Sequence, residues 1–370
     1  MKVDLITLHA VKNYGSVLQA FATQEKFKEY GCDVRILNYI RPDVTDENLM
    51  TTWCGNNLLK KIVLLPSFYR WKKIFGGFIR DYLNLSDKVF SNEDDFIDFQ
   101  SDADIYCTGS DQVWNSGWNN GVIKPLYLNF APENSRKFAY AASFGNSVLS
   151  ENEVAQTKEL IEKYDYISVR EESGLGILEE QYMFKKSCQI IDPTLVMPAS
   201  FWRKYTKKPK IDGDYVLVYQ LNNNKLFDKF AAEFAKKNKL KLIRFCTRYD
   251  QIIKNGKSIL IPEMFDFVSL IDNARYVITD SLHATAFSIN LNTEPVCIYP
   301  QNYGSRIESL LNLFEIGSRH LKDYNDFDIV NRQIDFSKVN QILDRERIKV
   351  DAFLKMVLLE PKKSIEKWIK

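Results

Sequence analysis

Groups able to titrate or coordinate near neutral pH are scarce in this sequence: 370 residues include three histidines and six cysteines. The cysteines stand at 32, 54, 107, 188, 246 and 297, and no two have CxxC spacing. Cys107 and Cys297 lie in apolar, strand-like runs, where a reduced thiol acts as a small hydrophobe. A disulfide framework is thereby disfavoured and a reducing compartment expected. No apolar stretch approaches the roughly 20 residues of a membrane-spanning helix. The opening MKVDLITLHA lacks the basic and then long apolar layout of a signal peptide and reads as a buried first strand, so a cytoplasmic location is expected. Charge of one sign is also missing. Fifty basic residues face 48 acidic ones, for a net +2, which removes any global attraction to nucleic acid and makes an anion site a local matter. Internal repeats, heptad seams and low-complexity tracts are absent.

What is present is a globular composition, 45% hydrophobic and 26% charged. A single core rarely grows past roughly 250–300 residues, so a chain of this length is expected to form two domains. Apolar strand-like runs at 3–8, 33–38, 104–108, 138–142, 166–170 and 188–191 alternate with helical patterns at 17–30 and 151–163. The stretch KKPKIDGD (207–214) breaks the rhythm and reads as a linker. A second series follows, with strands at 215–219, 240–245, 276–279 and 296–299. Its helices fall at 226–237, 264–273, from about 283, at 306–314, and in a charged tail from about 339 to 370. Alternation of this kind implies parallel sheets with helical crossovers. The expected architecture is α/β, with two Rossmann-like domains, 1–206 and 207–370, facing a cleft. Ligands of such sheets sit beyond the carboxyl ends of the strands, so the residues following each strand are the candidates.

After the first strand, Asn13-Tyr14-Gly15-Ser16 opens a helix that carries Gln19. A lone glycine allows close backbone approach, but the GxGxxG spacing of a dinucleotide site is missing. This turn fits a ligand loop or an ordinary capped turn. After the strand ending at Thr108 comes Gly109-Ser110-Asp111-Gln112-Val113-Trp114-Asn115, polar residues around one indole. That suits sugar recognition, or a buried tryptophan beside a cap. Arg170 follows the next strand, placed to fork onto a carboxylate or phosphate, or to pair with Glu171, Glu172 or Asp192. Asp280-Ser281-Leu282-His283 is the sharpest local signal. A histidine enters a helix N-terminus directly behind a strand, where an imidazole can donate a proton or meet a phosphate; otherwise Asp280 or Ser281 is a cap and His283 is packed. Arg306 begins the helix after a Tyr-Gly turn, against the helix dipole, or is simply a solvated surface arginine.

Six landmarks in order, NYGSVLQAFATQ (13–24), GSDQVWN (109–115), ISVREESG (167–174), DPTLV (192–196), DSLHATAFS (280–288) and SRIESLLNLF (305–314), resemble the polysaccharide pyruvyl transferase family over about residues 1–315. The resemblance implies a GT-B-like fold and no metal. It also implies a reaction in which phosphoenolpyruvate, a co-substrate and not a cofactor, gives its enolpyruvyl unit to sugar hydroxyls as a pyruvate ketal in cell-surface or exopolysaccharide synthesis. By the same resemblance His283 is catalytic, Arg170, Arg306 and Ser281 meet the donor, and the loops holding Asn13, Tyr14, Gly15, Gln19, Ser110, Asp111, Gln112, Trp114 and Asn115 meet the acceptor, a sugar that family members often take lipid-linked. The chain departs from the better-understood members, which carry arginine at the position of Ser281. Two alternatives stay open: a glycosyltransferase using a nucleotide sugar, and a non-catalytic sugar-binding relative.

One further segment stands out. Residues 58–83 carry Lys60, Lys61, Arg70, Lys72, Lys73 and Arg80 against one acid, Asp81, with eleven aliphatic and aromatic residues between them and Pro66 expected to split two helical pieces. This pattern fits an interfacial helix that brings the first domain to the inner face of the cell membrane. Burial of the apolar face within the protein is the alternative.

Overall fold

Runs rich in β-branched and aromatic residues become twelve parallel strands in the computed structural model, which describes residues 1–360. Seven form one sheet: β1 (Lys2–Ile6), β2 (Asp33–Tyr39), β3 (Leu85–Phe90), β4 (Ile105–Thr108), β5 (Arg136–Ala142), β6 (Tyr166–Val169) and β7 (Ser187–Gln189), in the order β3-β2-β1-β4-β5-β6-β7. Five form the other: β8 (Tyr215–Tyr219), β9 (Lys241–Cys246), β10 (Lys257–Leu260), β11 (Tyr276–Thr279) and β12 (Glu294–Cys297), in the order β10-β9-β8-β11-β12. Each order steps back to the first strand of its sheet and then runs outward, which is the doubly wound Rossmann pattern. Strands such as β4, β6, β8 and β11 are buried along their whole length, as parallel strands covered on both faces should be. The protein is therefore α/β with two Rossmann-like domains.

β3 and β10 do not stand out in the sequence. Both are edge strands, LSDKVF and KSIL, whose polar residues face outward and leave little apolar signal.

The compact units are discontinuous. The first comprises Met1–Asn48, Ile79–Val196 and, among the described residues, 345–360; the second comprises Leu49–Phe78 and Met197–Asp344. This differs from the division expected at 206/207. The chain passes between units at 196/197, so KKPKIDGD lies inside the second unit. The excursion 49–78 belongs with the second unit, and the end of the helix Phe336–Leu354 belongs with the first. Side chains decide both reassignments. Trp71 Nε1 donates to the Thr247 carbonyl at 2.8 Å, and Phe78 packs edge-on against Phe265. Asp351 accepts from Tyr30 at 2.8 Å, and Arg136 donates to the carbonyls of Val357 and Glu360 at 3.0 and 2.6 Å. The last part of the expected tail, 361–370, lies outside the described residues.

Pro66 does not divide the segment it sits in. One helix, Leu58–Tyr82, runs through it. Pro66 and Ile62 lie on the exposed side, so the carbonyl that the proline leaves without an N–H is open to water.

Candidate functional site

In each sheet the strand order reverses at one place, and loops leave the carboxyl ends there. In the first sheet the place is β1 beside β4, in parallel register from Val3–Ile105 to Ile6–Thr108. The two chains exit so close together that a Cβ on Gly109 would stand 2.8 Å from Thr7 Cβ and 3.0 Å from Leu5 Cδ1. Thr7 then ties the loops together. Its Oγ1 donates to the Ser110 carbonyl at 2.9 Å and accepts from Gln19 Nε2 at 2.9 Å, while Ser16 Oγ donates to Asp111. Asn13 is the N-cap of the helix Tyr14–Lys28, accepting from Gly15 N at 2.9 Å.

The loop after β4 folds inward. Asp111 adopts φ +75°, and its backbone bridges to Ala142. Asn115 Nδ2 donates to Gln112 Oε1 at 2.7 Å. Gly145, at φ +73°, is required against this pair, because a Cβ there would stand 2.1 Å from Asn115 Nδ2. Trp114 donates to the Leu126 carbonyl at 3.0 Å, stacks on Tyr127 at 5.4 Å, and is 1% exposed. It is a core residue, and no face of its ring is open for a sugar to stack on. Of the expected acceptor residues, Tyr14, Gly15, Gln19, Ser110, Asp111, Gln112, Trp114 and Asn115 are all buried, and Asn13 is half-buried. Much of their polarity shapes the loops themselves.

Arg170 makes the ion pairs that stood as one of its two readings. Its Nε donates to Glu171 at 2.8 Å and its Nη1 to Asp192 at 2.8 Å, and its Nη2 faces Asp111 at 3.7 Å. The side chain is 4% exposed. Burial alone would lower its affinity for the proton, but the carboxylates of Glu171, Asp192 and Asp111 outweigh that and hold the guanidinium charged more firmly than usual. Asp192 also accepts from Thr194 N at 2.9 Å. Three of the sequence landmarks, GSDQVWN, ISVREESG and DPTLV, thus converge on one buried ionic network. Of the partners considered for Arg170, Glu171 and Asp192 are bound. Its Nη2 makes no hydrogen bond within the protein, while Nε and Nη1 are committed to Glu171 and Asp192.

In the second sheet the reversal falls between β8 and β11. Asp280, directly behind β11, is the latch across it. Its carboxylate accepts from Leu221 N at 2.7 Å, Asn222 N at 2.9 Å and Asn222 Nδ2 at 2.9 Å. Burial raises its carboxyl above the ordinary range, against the lowering effect of those donors. Ser281 is the N-cap of the helix Leu282–Leu291, accepting from Ala284 N at 3.4 Å. His283 is the second residue of that helix and is 5% exposed. The helix packs against Ser305–Leu313, whose second residue is Arg306. Arg306 is half-buried, donates to the Tyr303 carbonyl at 3.3 Å, and stands 5.8 Å from the Tyr303 ring. Ser281, His283 and Arg306 therefore belong to neighbouring elements at one end of one unit.

Two features of this unit escape sequence reading. His320 stacks on Tyr299 at 3.4 Å and 8°. Arg244, 2% exposed, meets Asp228 at 3.0 Å and Gln220 at 3.3 Å, while Lys254 reaches the same two residues at 2.9 and 2.8 Å. A lone basic residue inside an apolar strand is the only sequence signal for the second cluster. Among the described residues no group of three or more His, Cys, Asp or Glu side chains is arranged to hold a metal ion.

The sequence pattern of the polysaccharide pyruvyl transferase family matches residues 13–302. No curated protein matches the chain significantly. Among solved structures, the chain is similar to Arabidopsis thaliana UGT89C1 complexed with UDP-L-rhamnose, at 10% identity and TM-score 0.48, over 96% of this chain and 94% of that one. It is also similar to a UDP-GlcNAc 2-epimerase from Methanocaldococcus jannaschii, at 13% identity and TM-score 0.47, over 93% and 92%. Likeness at that level carries no argument about ligand or reaction.

Proposed function

From the premise that this chain belongs to the polysaccharide pyruvyl transferase family, we propose that it transfers the enolpyruvyl group of phosphoenolpyruvate to sugar hydroxyls in the synthesis of a cell-surface or exopolysaccharide. The donor is held by the second unit. His283 protonates the methylene carbon, which becomes the methyl group, and positive charge develops at the adjacent carbon. A sugar hydroxyl adds there and loses its proton. A second hydroxyl then displaces phosphate, closing the ketal. Arg306 neutralises the donor's carboxylate or phosphate, and Ser281 lies beside it at the helix N-terminus, where free N–H groups favour an anion. The acceptor meets the loops at 13–19 and 109–115 of the first unit.

The observation that carries this reading is the position of His283. It stands at the start of a helix behind β11, at the strand-order reversal where open sheets of this kind bind ligands. The test is phosphate release from phosphoenolpyruvate with a panel of sugars, lipid-linked ones included. Release that depends on a sugar is expected. His283→Ala should lower turnover about 10²–10⁴-fold, the usual range for a general acid. Full activity in that variant would sink the assignment of His283. Turnover of a nucleotide sugar, with no phosphate released from phosphoenolpyruvate, would favour an ordinary glycosyltransferase instead.

A further inference from the structure

Residues 49–78, all in the second unit, contain five basic side chains, Lys60, Lys61, Arg70, Lys72 and Lys73, and no acidic one. The helix that fills most of this segment has two apolar faces. The inner face buries Leu64, Trp71, Ile74, Phe75 and Phe78. The outer face carries Leu58, Ile62, Leu65 and Tyr69, spaced i, i+4, i+7 and i+11. These four are 70%, 61%, 40% and 70% exposed. Nearby, Trp53 on the preceding helix Leu49–Cys54 packs against Trp71 at 5.3 Å, and Ile252 and Ile253 are exposed on the turn Tyr249–Ile253. That turn is fixed beside the long helix, since Tyr249 N donates to Ser67 Oγ at 2.9 Å and Trp71 Nε1 to the Thr247 carbonyl at 2.8 Å. A depression of about 430 Å³ lies where the two helices and this turn meet, lined by Trp53, Leu59, Lys60, Val63, Arg248 and Asp250 among others. Exposed apolar side chains scattered singly need no explanation, but four in register along one face of a helix do.

We propose that this face docks on an anionic lipid bilayer. The charge decides the occupant. A second copy of the chain seated on the outer stripe would bring the lysines of both copies together with no acids from the segment to answer them. A bilayer takes the aliphatic residues into its headgroup boundary, accepts Tyr69 at that level, and leaves the lysine heads among phosphates. The part that docks is the first half of the helix with its neighbours in the second unit. The second half is core.

The surface does not depend on the proposed chemistry, and its test uses no phosphoenolpyruvate. The full chain is sedimented with vesicles of phosphatidylcholine alone and of phosphatidylcholine mixed with phosphatidylglycerol. Binding to the mixed vesicles only, falling as salt rises, is expected. Each of Lys60→Gln, Lys61→Gln and Lys73→Gln should weaken it about fivefold. Ile62→Asp should abolish it while leaving the circular dichroism and melting temperature unchanged, because Ile62 touches no core. Failure to bind the mixed vesicles, equal binding to neutral ones, or indifference to Ile62→Asp would overturn the proposal. So would a concentration-dependent dimer in light scattering that Ile62→Asp dissociates, since the stripe would then be occupied by a second copy.

Discussion

Arg170 meets three buried carboxylates, so what it does for the protein is visible in what its removal leaves behind. Arg170→Met strands Asp111, Glu171 and Asp192 without their cation. Breaking a buried pair in this way costs about 3–5 kcal/mol, because the remaining charge is left uncompensated. Urea denaturation should show a loss of that size, and Arg170→Lys should recover only part of it, since an ammonium cannot reproduce the planar fork. A variant that kept wild-type stability and lost donor affinity would make Arg170 a donor contact and not a structural cation. His9 makes a separate residue-scale prediction. It is fully buried between the Thr7 carbonyl and Asn38, and burial lowers its pKa below the ordinary 6.5. As pH falls below about 6.5, the unfolded chain takes up the proton before the folded one does, so stability is lost on acidification. His320, half-buried on Tyr299, is shifted the same way. Melting temperature followed from neutral to mildly acidic pH should therefore fall, and His9→Gln should reduce the slope. An unchanged slope would mean that His9 binds its proton equally well in the folded and the unfolded chain.

At the scale of elements, the helix Leu58–Tyr82 shows what a sequence can and cannot convey. Its basic and apolar pattern was legible, but not which apolar residues face the core, because both faces carry them. The partners that decide this, Thr247, Tyr249 and Phe265, are more than a hundred residues away in sequence. The consequence is a contrast between two nearby positions. Trp71→Ala should cost about 3–5 kcal/mol for an indole removed from a packed site, whereas Ile62→Ser should stay within about 0.5 kcal/mol of wild type. Comparable losses at the two positions would mean that the outer stripe is covered in the protein itself. The loop Gly109–Asn115 teaches the same lesson. Its position behind β4 followed from the alternation of strands and helices. That Trp114 turns inward did not, because the rings around it, Tyr127, Phe144 and Tyr164, come from three later segments. The helix caps were closer to hand. Asn13 and Ser281 occupy the positions that their short polar side chains favour, and the sequence reading had allowed both as caps.

For the whole molecule, the strand rhythm was enough to imply two doubly wound sheets, but the path of the chain between them was not, since a local break in composition at 207–214 looks like a linker wherever it lies. The discontinuity has a direct consequence for any attempt to divide the protein. A fragment 1–206 would keep the seven-stranded sheet but lose residues 345–360, and with them Phe353 against Phe138 and Tyr166, Asp351 against Lys26 and Tyr30, and the backbone carbonyls that Arg136 binds. It would also carry Trp71, Ile74, Phe75 and Phe78 without the second-unit residues that bury them. The complementary fragment 207–370 would lack the same helix on its side. Exposed apolar surface of this kind drives aggregation. The fragment 1–206 should therefore fail to show a cooperative thermal transition and should bind a hydrophobic dye such as ANS. A fragment 1–206 that melts cooperatively at the temperature of the full chain would show that neither the returning helix nor the 49–78 excursion contributes what the side-chain contacts imply.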